Sequence, residues 1–192
     1  MTFVHLHNHS HYSLLDGLAR PEDFLMMAKE QGAPAVALTD HGAMYGSIEF
    51  YEKAKQAGIK PIIGCEMYVT AGSRFDRTKE EEGERYFHLT LLAKDIQGYR
   101  NLLALTTVAH LEGYYYKPRI DVELLKQHHD GLIGLSGCLM GEIARACLSA
   151  EDLDKAEKTI QKYLDIFGSE NFYLEVQDHP EIHELIVHNR KL

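Results

Sequence analysis

The segment His5-Leu6-His7-Asn8-His9-Ser10-His11 places four histidines at every second position, directly behind the apolar residues Phe3 and Val4. In an extended chain alternate residues point to the same side, so the four imidazoles share a face wherever a strand persists. A carboxylate follows in Ser13-Leu14-Leu15-Asp16-Gly17. Paired imidazoles at a strand end with a carboxylate close behind are metal-ligating chemistry. Imidazole suits Zn, Mn, Fe and Co, and the carboxylate extends the range to harder ions. A purification-tag remnant would be a plain histidine run, whereas this one is interleaved with Leu, Asn and Ser.

More donors recur at the ends of apolar runs. Asp40-His41-Gly42 follows Ala35–Thr39, Cys65-Glu66 lies in Lys60–Val69, Ser136-Gly137-Cys138 follows Leu132–Leu135, and Glu175 lies near the end of Phe172–Val176. Glu66 is informative because a buried carboxylate needs a cation or strong donors beside it. His41 alone reads more readily as a hydrogen-bonded loop residue, and Cys138 equally as small-residue packing. His88 is the exception, since it sits at the start of its run, Phe87–Ala93, rather than at the end.

The elements that must carry these donors alternate. Strands are expected at 2–6, 35–39, 60–69, 87–93, 132–135 and 172–176. Helices are expected from Pro21 to Gly32, over 48–58, 96–110, 122–128, 140–148 and 156–167, and from Glu181 onward. Apolar strands joined by helical crossovers predict an α/β protein with a parallel sheet, whose chemistry collects at the strand ends. Residues 71–85 read as a solvated loop, and Gly113–Pro118 breaks the pattern.

Several look-alike motifs fail. His183-Glu184-Leu185-Ile186-Val187-His188 is not HExxH, because its histidines are five apart. Gly134-Leu135-Ser136-Gly137 is not a nucleophile elbow. His128 and His129 read as a solvated turn, His179 and His183 as surface positions, and Cys147 as core.

With 192 residues and 45% hydrophobic content, the chain reads as one domain. No window reaches the roughly 18 apolar residues of a membrane span. Three cysteines make no disulfide framework, and a cytoplasmic protein with reduced thiols is expected. The net charge of -9 speaks against a broad basic nucleic-acid surface. It leaves a phosphate substrate open, since bound cations would reverse the sign locally.

The stretches His7–Ser10, Ser13–Gly17, Thr39–Gly42, Lys60–Glu66, Phe87–Ala93 and Gly134–Cys138 together resemble the PHP (polymerase and histidinol phosphatase) domain family. They are most similar to the version at the N-terminus of the alpha subunit of bacterial DNA polymerase III, a C-family polymerase. Tyr114–Asp121 shares that likeness, and the resemblance spans essentially the whole chain.

It implies a distorted seven-stranded α/β barrel holding up to three divalent metals (Zn, Mn or Fe). By motif, the implied ligands are His7, His9, Asp16, His41, Glu66, His88 and Cys138, with His7, His9, His41 and Glu66 acting in catalysis through the cluster. The family's last Asp/His ligand pair has no counterpart here, so residues 1–192 read as a PHP domain incomplete before its last strand, without polymerase palm, fingers and thumb.

The implied activity is metal-dependent phosphoester hydrolysis, as 3′-5′ exonuclease proofreading. The implied partners are the DNA 3′ end, the rest of the polymerase alpha subunit and the replisome, with no membrane. Two other readings are a metal-stabilised brace for the polymerase core and a free-standing histidinol-phosphatase-like enzyme. Tyr114, Tyr115, Tyr116, Lys117 and Arg119 fit either a single-strand stacking surface or an interface with a neighbouring domain.

Overall fold

The computed structural model describes residues 3–14, 16–78, 86–148 and 153–192. Its elements run α1 (Pro21–Glu30), β1 (Ala35–Leu38), α2 (Ser47–Ala57), β2 (Lys60–Val69), β3 (Phe87–Ala93) and α3 (Ile96–Leu111). They continue β4 (Tyr114–Tyr115), β5 (Lys117–Ile120), α4 (Val122–Gln127), β6 (Leu132–Leu135), α5 (Glu142–Leu148), α6 (Leu153–Phe167), β7 (Phe172–Tyr173) and α7 (His183–Lys191).

Local chemistry explains most boundaries. Pro21 opens α1 with Glu22 and Asp23 in its first turn, where they complement the helix dipole. Gly58 ends α2 in the left-handed region at φ 72°. Asp95 and Asp121 cap α3 and α4 by accepting from the backbone N–H of Gly98 and Leu124.

The sheet is mixed, which corrects the expectation of a parallel one. Its order is β4-β5-β2-β3-β6-β7, with β1 beside the first half of β2. β3 runs antiparallel to both β2 and β6, while β1–β2, β2–β5 and β6–β7 are parallel. No helix separates β2 from β3 among the described residues. An antiparallel pair needs no helical crossover, so this direction is natural for β2 and β3. Gly113–Pro118, expected only to interrupt the pattern, forms the short β4–β5 pair around Tyr116.

Residues 3–9 run extended beside β1 without forming a regular ladder. Ala37 N–H donates to the His5 carbonyl and Thr39 N–H to that of Asn8, each at 3.0 Å. The sheet stays open between this segment and β7. The gap is a groove lined by Phe3, Leu6, Ile62, Ile133, Leu174 and Val176 among others.

Period-two alternation divides β2 and β3 between two environments. Cys65, Met67, Val69, Leu89 and Leu91 point into the main core, against Leu102 and Leu105 of α3 and Ile143 of α5. A smaller core joins Leu25 and Ala28 of α1 and Phe50 and Ala54 of α2 to Val36 and Leu38 of β1. Glu66 and Tyr68 stand opposite Thr90 and His88 on the other face.

Candidate metal centre

Glu66 is the centre of the constellation. Its side chain is 1% exposed and its two oxygens face four imidazoles. Oε1 lies 3.2 Å from His7 Nε2 and 3.0 Å from His88 Nδ1. Oε2 lies 3.2 Å from His9 Nε2 and 2.8 Å from His41 Nδ1. Asp16 reaches the far nitrogen of His41, at 2.5 Å. Cys138 Sγ sits 3.7 Å from both Glu66 Oε1 and His88 Nδ1. Six of the seven candidate ligands therefore gather at the Glu66 carboxylate, and Asp16 joins through the far side of His41.

Two of the four leading histidines stay outside it. His5 packs edge-on against Phe3, and His11 is exposed against the ring of Tyr12. The shared face breaks down because the chain leaves its extended path at Ser10. That residue's N–H and hydroxyl both donate to the buried Asp40 carboxylate, at 2.6 and 2.8 Å. Ser13 donates to Asp40 at 2.8 Å and accepts from the His41 N–H at 3.0 Å. Asp40 thus ties the first histidine loop to the second.

The position of His88, anomalous in the sequence, follows from strand direction. β3 is antiparallel to β2, so the start of β3 lies at the same rim as the end of β2, with His88 directly opposite Tyr68. Gly137, at φ 80° and close against the His88 backbone, turns the chain so that Cys138 arrives beside that histidine.

Glu175 joins the cluster as well, although the sequence suggested only a carboxylate near a strand end. Its Oε1 lies 2.7 Å from His7 Nδ1. The signal available beforehand was its position directly behind an apolar run.

Electrostatics and hydrogen-bond geometry test whether a cation fits. Burial disfavours charge on Glu66, yet the facing imidazoles outweigh it and hold its carboxyl well below the usual range. Burial likewise opposes a proton on His7, but Glu175 and Glu66 raise it to about 10. Burial pushes the Cys138 thiol up to about 12.

His7 Nε2, His41 Nδ1 and Glu66 Oε2 are all buried without a properly directed hydrogen bond, despite their short separations. Ring nitrogens and a carboxylate oxygen that converge without hydrogen-bond geometry suit a divalent cation, which would displace any ring proton. Among the described residues, two groups of three donors have the spacing to hold one, His7/His9/Glu66 and His41/Glu66/His88, and they share Glu66. The residues fit the metal.

Other sequence candidates lie elsewhere. Arg119 is 4% exposed, and its guanidinium donates to the carbonyls of Gly113, Arg74 and Asp76. This withdraws it from any DNA-stacking surface, while Tyr114 and Tyr116 remain exposed. Arg74, inside the expected solvated loop, is pinned to Glu112 and Asp121; residues 79–85 of that loop lie outside the described residues. His183 and His179 are exposed, His129 sits in a turn against Lys126, and Cys147 is core. His188 is buried, with both ring nitrogens unpartnered.

The PHP domain profile matches residues 5–179. The chain is 51% identical to the DNA polymerase III subunit alpha of Treponema pallidum over 179 residues, 93% of this chain and 15% of that one. It is 52% identical to the subunit of the same name from Thermus aquaticus over 182 residues, again 93% and 15%. The chain thus spans about 15% of the length of these curated relatives. Among solved structures, one from Bifidobacterium adolescentis with the provisional description of metal-dependent phosphoesterase superposes with a TM-score of 0.52. It is 16% identical and covers 98% of this chain and 84% of that one. With a profile running through nearly every strand that carries a cluster residue, the chain belongs to the PHP domain family.

Proposed function

We propose that the cluster is a divalent-metal centre for phosphoester hydrolysis, and that within a longer DNA polymerase III alpha subunit it trims the 3′ end of DNA as a proofreading exonuclease. The observation that carries this reading is the shared carboxylate, with Glu66 Oε1 serving His7 and His88 while Oε2 serves His9 and His41.

His7, His9, Asp16, His41, Glu66, His88 and Cys138 would hold the ions. Bound divalent cations would supply a Lewis acid for phosphoryl oxygens and lower the pKa of a water toward neutrality. The chain's own contribution is placement. Glu66, fixed in the middle of β2, holds two donor groups at a set separation. Asp40 holds the loops that carry His9 and His41. Tyr68 stacks on the His41 ring at 5.7 Å between centroids and meets His88 edge-on at 5.2 Å, closing one side against solvent. In the parent protein the partners would be the primer 3′ end, the rest of the subunit and the replisome, in the cytoplasm.

A metal-stabilised brace is the second reading, favoured by the apolar groove that leaves Phe3 70% and Val176 62% exposed, as surfaces awaiting a neighbour would be.

One experiment separates them. The full chain, loaded in turn with Mn2+, Zn2+ and Fe2+, is given a 3′-mismatched DNA duplex, a phosphodiester and a phosphomonoester, beside Glu66→Gln. Release of the 3′ nucleotide, lost in the variant, supports the exonuclease. Faster phosphomonoester cleavage supports the phosphatase alternative. Bound metal that raises the melting temperature, with no hydrolysis, sinks the catalytic reading in favour of the brace.

A further inference from the structure

We infer that Glu175 is a positioning residue for the metal centre, which fixes the tautomer and orientation of His7. The inference rests on the reading of His7 as a metal ligand. His7 has two ring nitrogens with opposite surroundings. Nε2 faces Glu66 inside the donor cluster, whereas Nδ1 faces Glu175 Oε1 at 2.7 Å. A carboxylate accepts and never donates, so Nδ1 carries the hydrogen. Once a cation displaces the second ring proton, the Nε2 lone pair is directed into the cluster. A histidine ligand characteristically gives its second ring N–H to such an acceptor, which orients the ring and raises its basicity.

Glu175 is itself held in place. Its backbone N–H donates to Ser136 Oγ at 2.8 Å, tying it to the end of β6. Gln177 Nε2 donates to the same Oε1 at 2.8 Å, so the oxygen receives two hydrogens from opposite partners. Thr90 Oγ1 lies 3.3 Å from His7 Nδ1 on the neighbouring strand and adds a second polar neighbour. The chain Ser136, Glu175, His7, Glu66 thereby links the β6–β7 end of the sheet to the β2 carboxylate across the mouth of the open groove. Among the described residues, the other cluster histidine whose second nitrogen meets a carboxylate is His41, and its partner Asp16 has a side chain that is 49% exposed.

The test is a titration of the metal-free full chain with Co2+ alone, followed by its visible absorption, for wild type, Glu175→Ala and Glu175→Gln. Glutamine keeps an oxygen that can accept from Nδ1–H, and alanine does not. Expected are a 10- to 100-fold weaker Co2+ affinity and an altered band shape for Glu175→Ala, the range typical of losing such a support. Glu175→Gln should recover most of both. Metal-free melting should fall alike in Glu175→Ala and Glu175→Gln, since both lose the charge that holds the His7 proton, whereas Co2+ affinity should separate them; a purely structural role would move affinity together with stability. The inference is overturned if alanine binds within twofold of wild type, if glutamine is as weak as alanine, or if metal-free stability falls in step with affinity. A wild-type chain that takes up no Co2+ would instead sink the metal-centre reading itself, so the two failures are distinguishable.

Discussion

Glu66 and His41 are joined twice. Their backbones form a parallel bridge, with Glu66 N–H donating to the Asp40 carbonyl and Gly42 N–H to that of Glu66. Their side chains then meet at 2.8 Å. The second histidine loop is therefore an extension of the sheet that carries the carboxylate, which makes the donor geometry a property of strand pairing.

Replacing that carboxylate should be severe. Glu66→Gln removes the buried charge shared by four partly buried imidazoles, and breaking a buried pair from one side costs about 3–5 kcal/mol. Expected is a loss of bound metal with a clear drop in urea midpoint. Elemental analysis and equilibrium unfolding check it, and a variant retaining two metals per chain would refute the role of Glu66.

Metal uptake should depend on pH in a defined direction. In the metal-free chain the His7 pKa is raised to about 10, above its unfolded value near 6.5. The stability this gives is complete below about 6.5 and is lost as pH rises through about 10. Glu66 acts oppositely: its depressed pKa stabilises above the ordinary carboxylate range and the effect is lost as pH falls through the folded value. A cation must displace the His7 proton, so affinity should climb between pH 6.5 and 10, by up to about tenfold per unit for each proton released. Calorimetry in two buffers of different ionisation enthalpy counts those protons, and zero released at pH 7.5 would contradict the arrangement.

Gly42 should tolerate no side chain. It sits at φ 60°, and a Cβ there would lie 2.7 Å from Pro118 Cγ and 3.0 Å from the Tyr68 ring. Gly42→Ala should cost about 1–3 kcal/mol through backbone strain, with reduced metal affinity because His41 is adjacent. Thermal melting and a metal titration test this together.

Asp40 should matter as an acceptor and not as a charge. Asp40→Ala strands the Ser10 and Ser13 donors, at a cost of about 1–3 kcal/mol, and frees the loop that carries His9 and Asp16. Asp40→Asn can keep the bonds to Ser10 N–H and Ser13 Oγ, so it should stay near wild type in melting temperature and metal content. Equal loss in both variants would show that the charge is what matters.

The donors were legible in the sequence because residue type decides ligand chemistry and period two decides which residues of one strand share a face. This is enough to pair His7 with His9, and to mark Glu66 as a carboxylate inside an apolar strand. The α/β alternation and most helix limits were equally legible, since proline, glycine and aspartate caps act within a few residues.

What folding decided lies beyond that range. The direction of β3 is a choice between two ways of pairing, and it alone brings His88 to the rim beside Tyr68. Asp40, by capturing Ser10, ends the extended run and leaves His11 outside the cluster. The burial of Arg119 follows from carbonyls on two separate loops. The contact of His7 with Glu175 joins residues 168 apart in sequence. Spacing along the chain governs neighbours on one element, whereas contacts between elements are set by which apolar faces must be buried together.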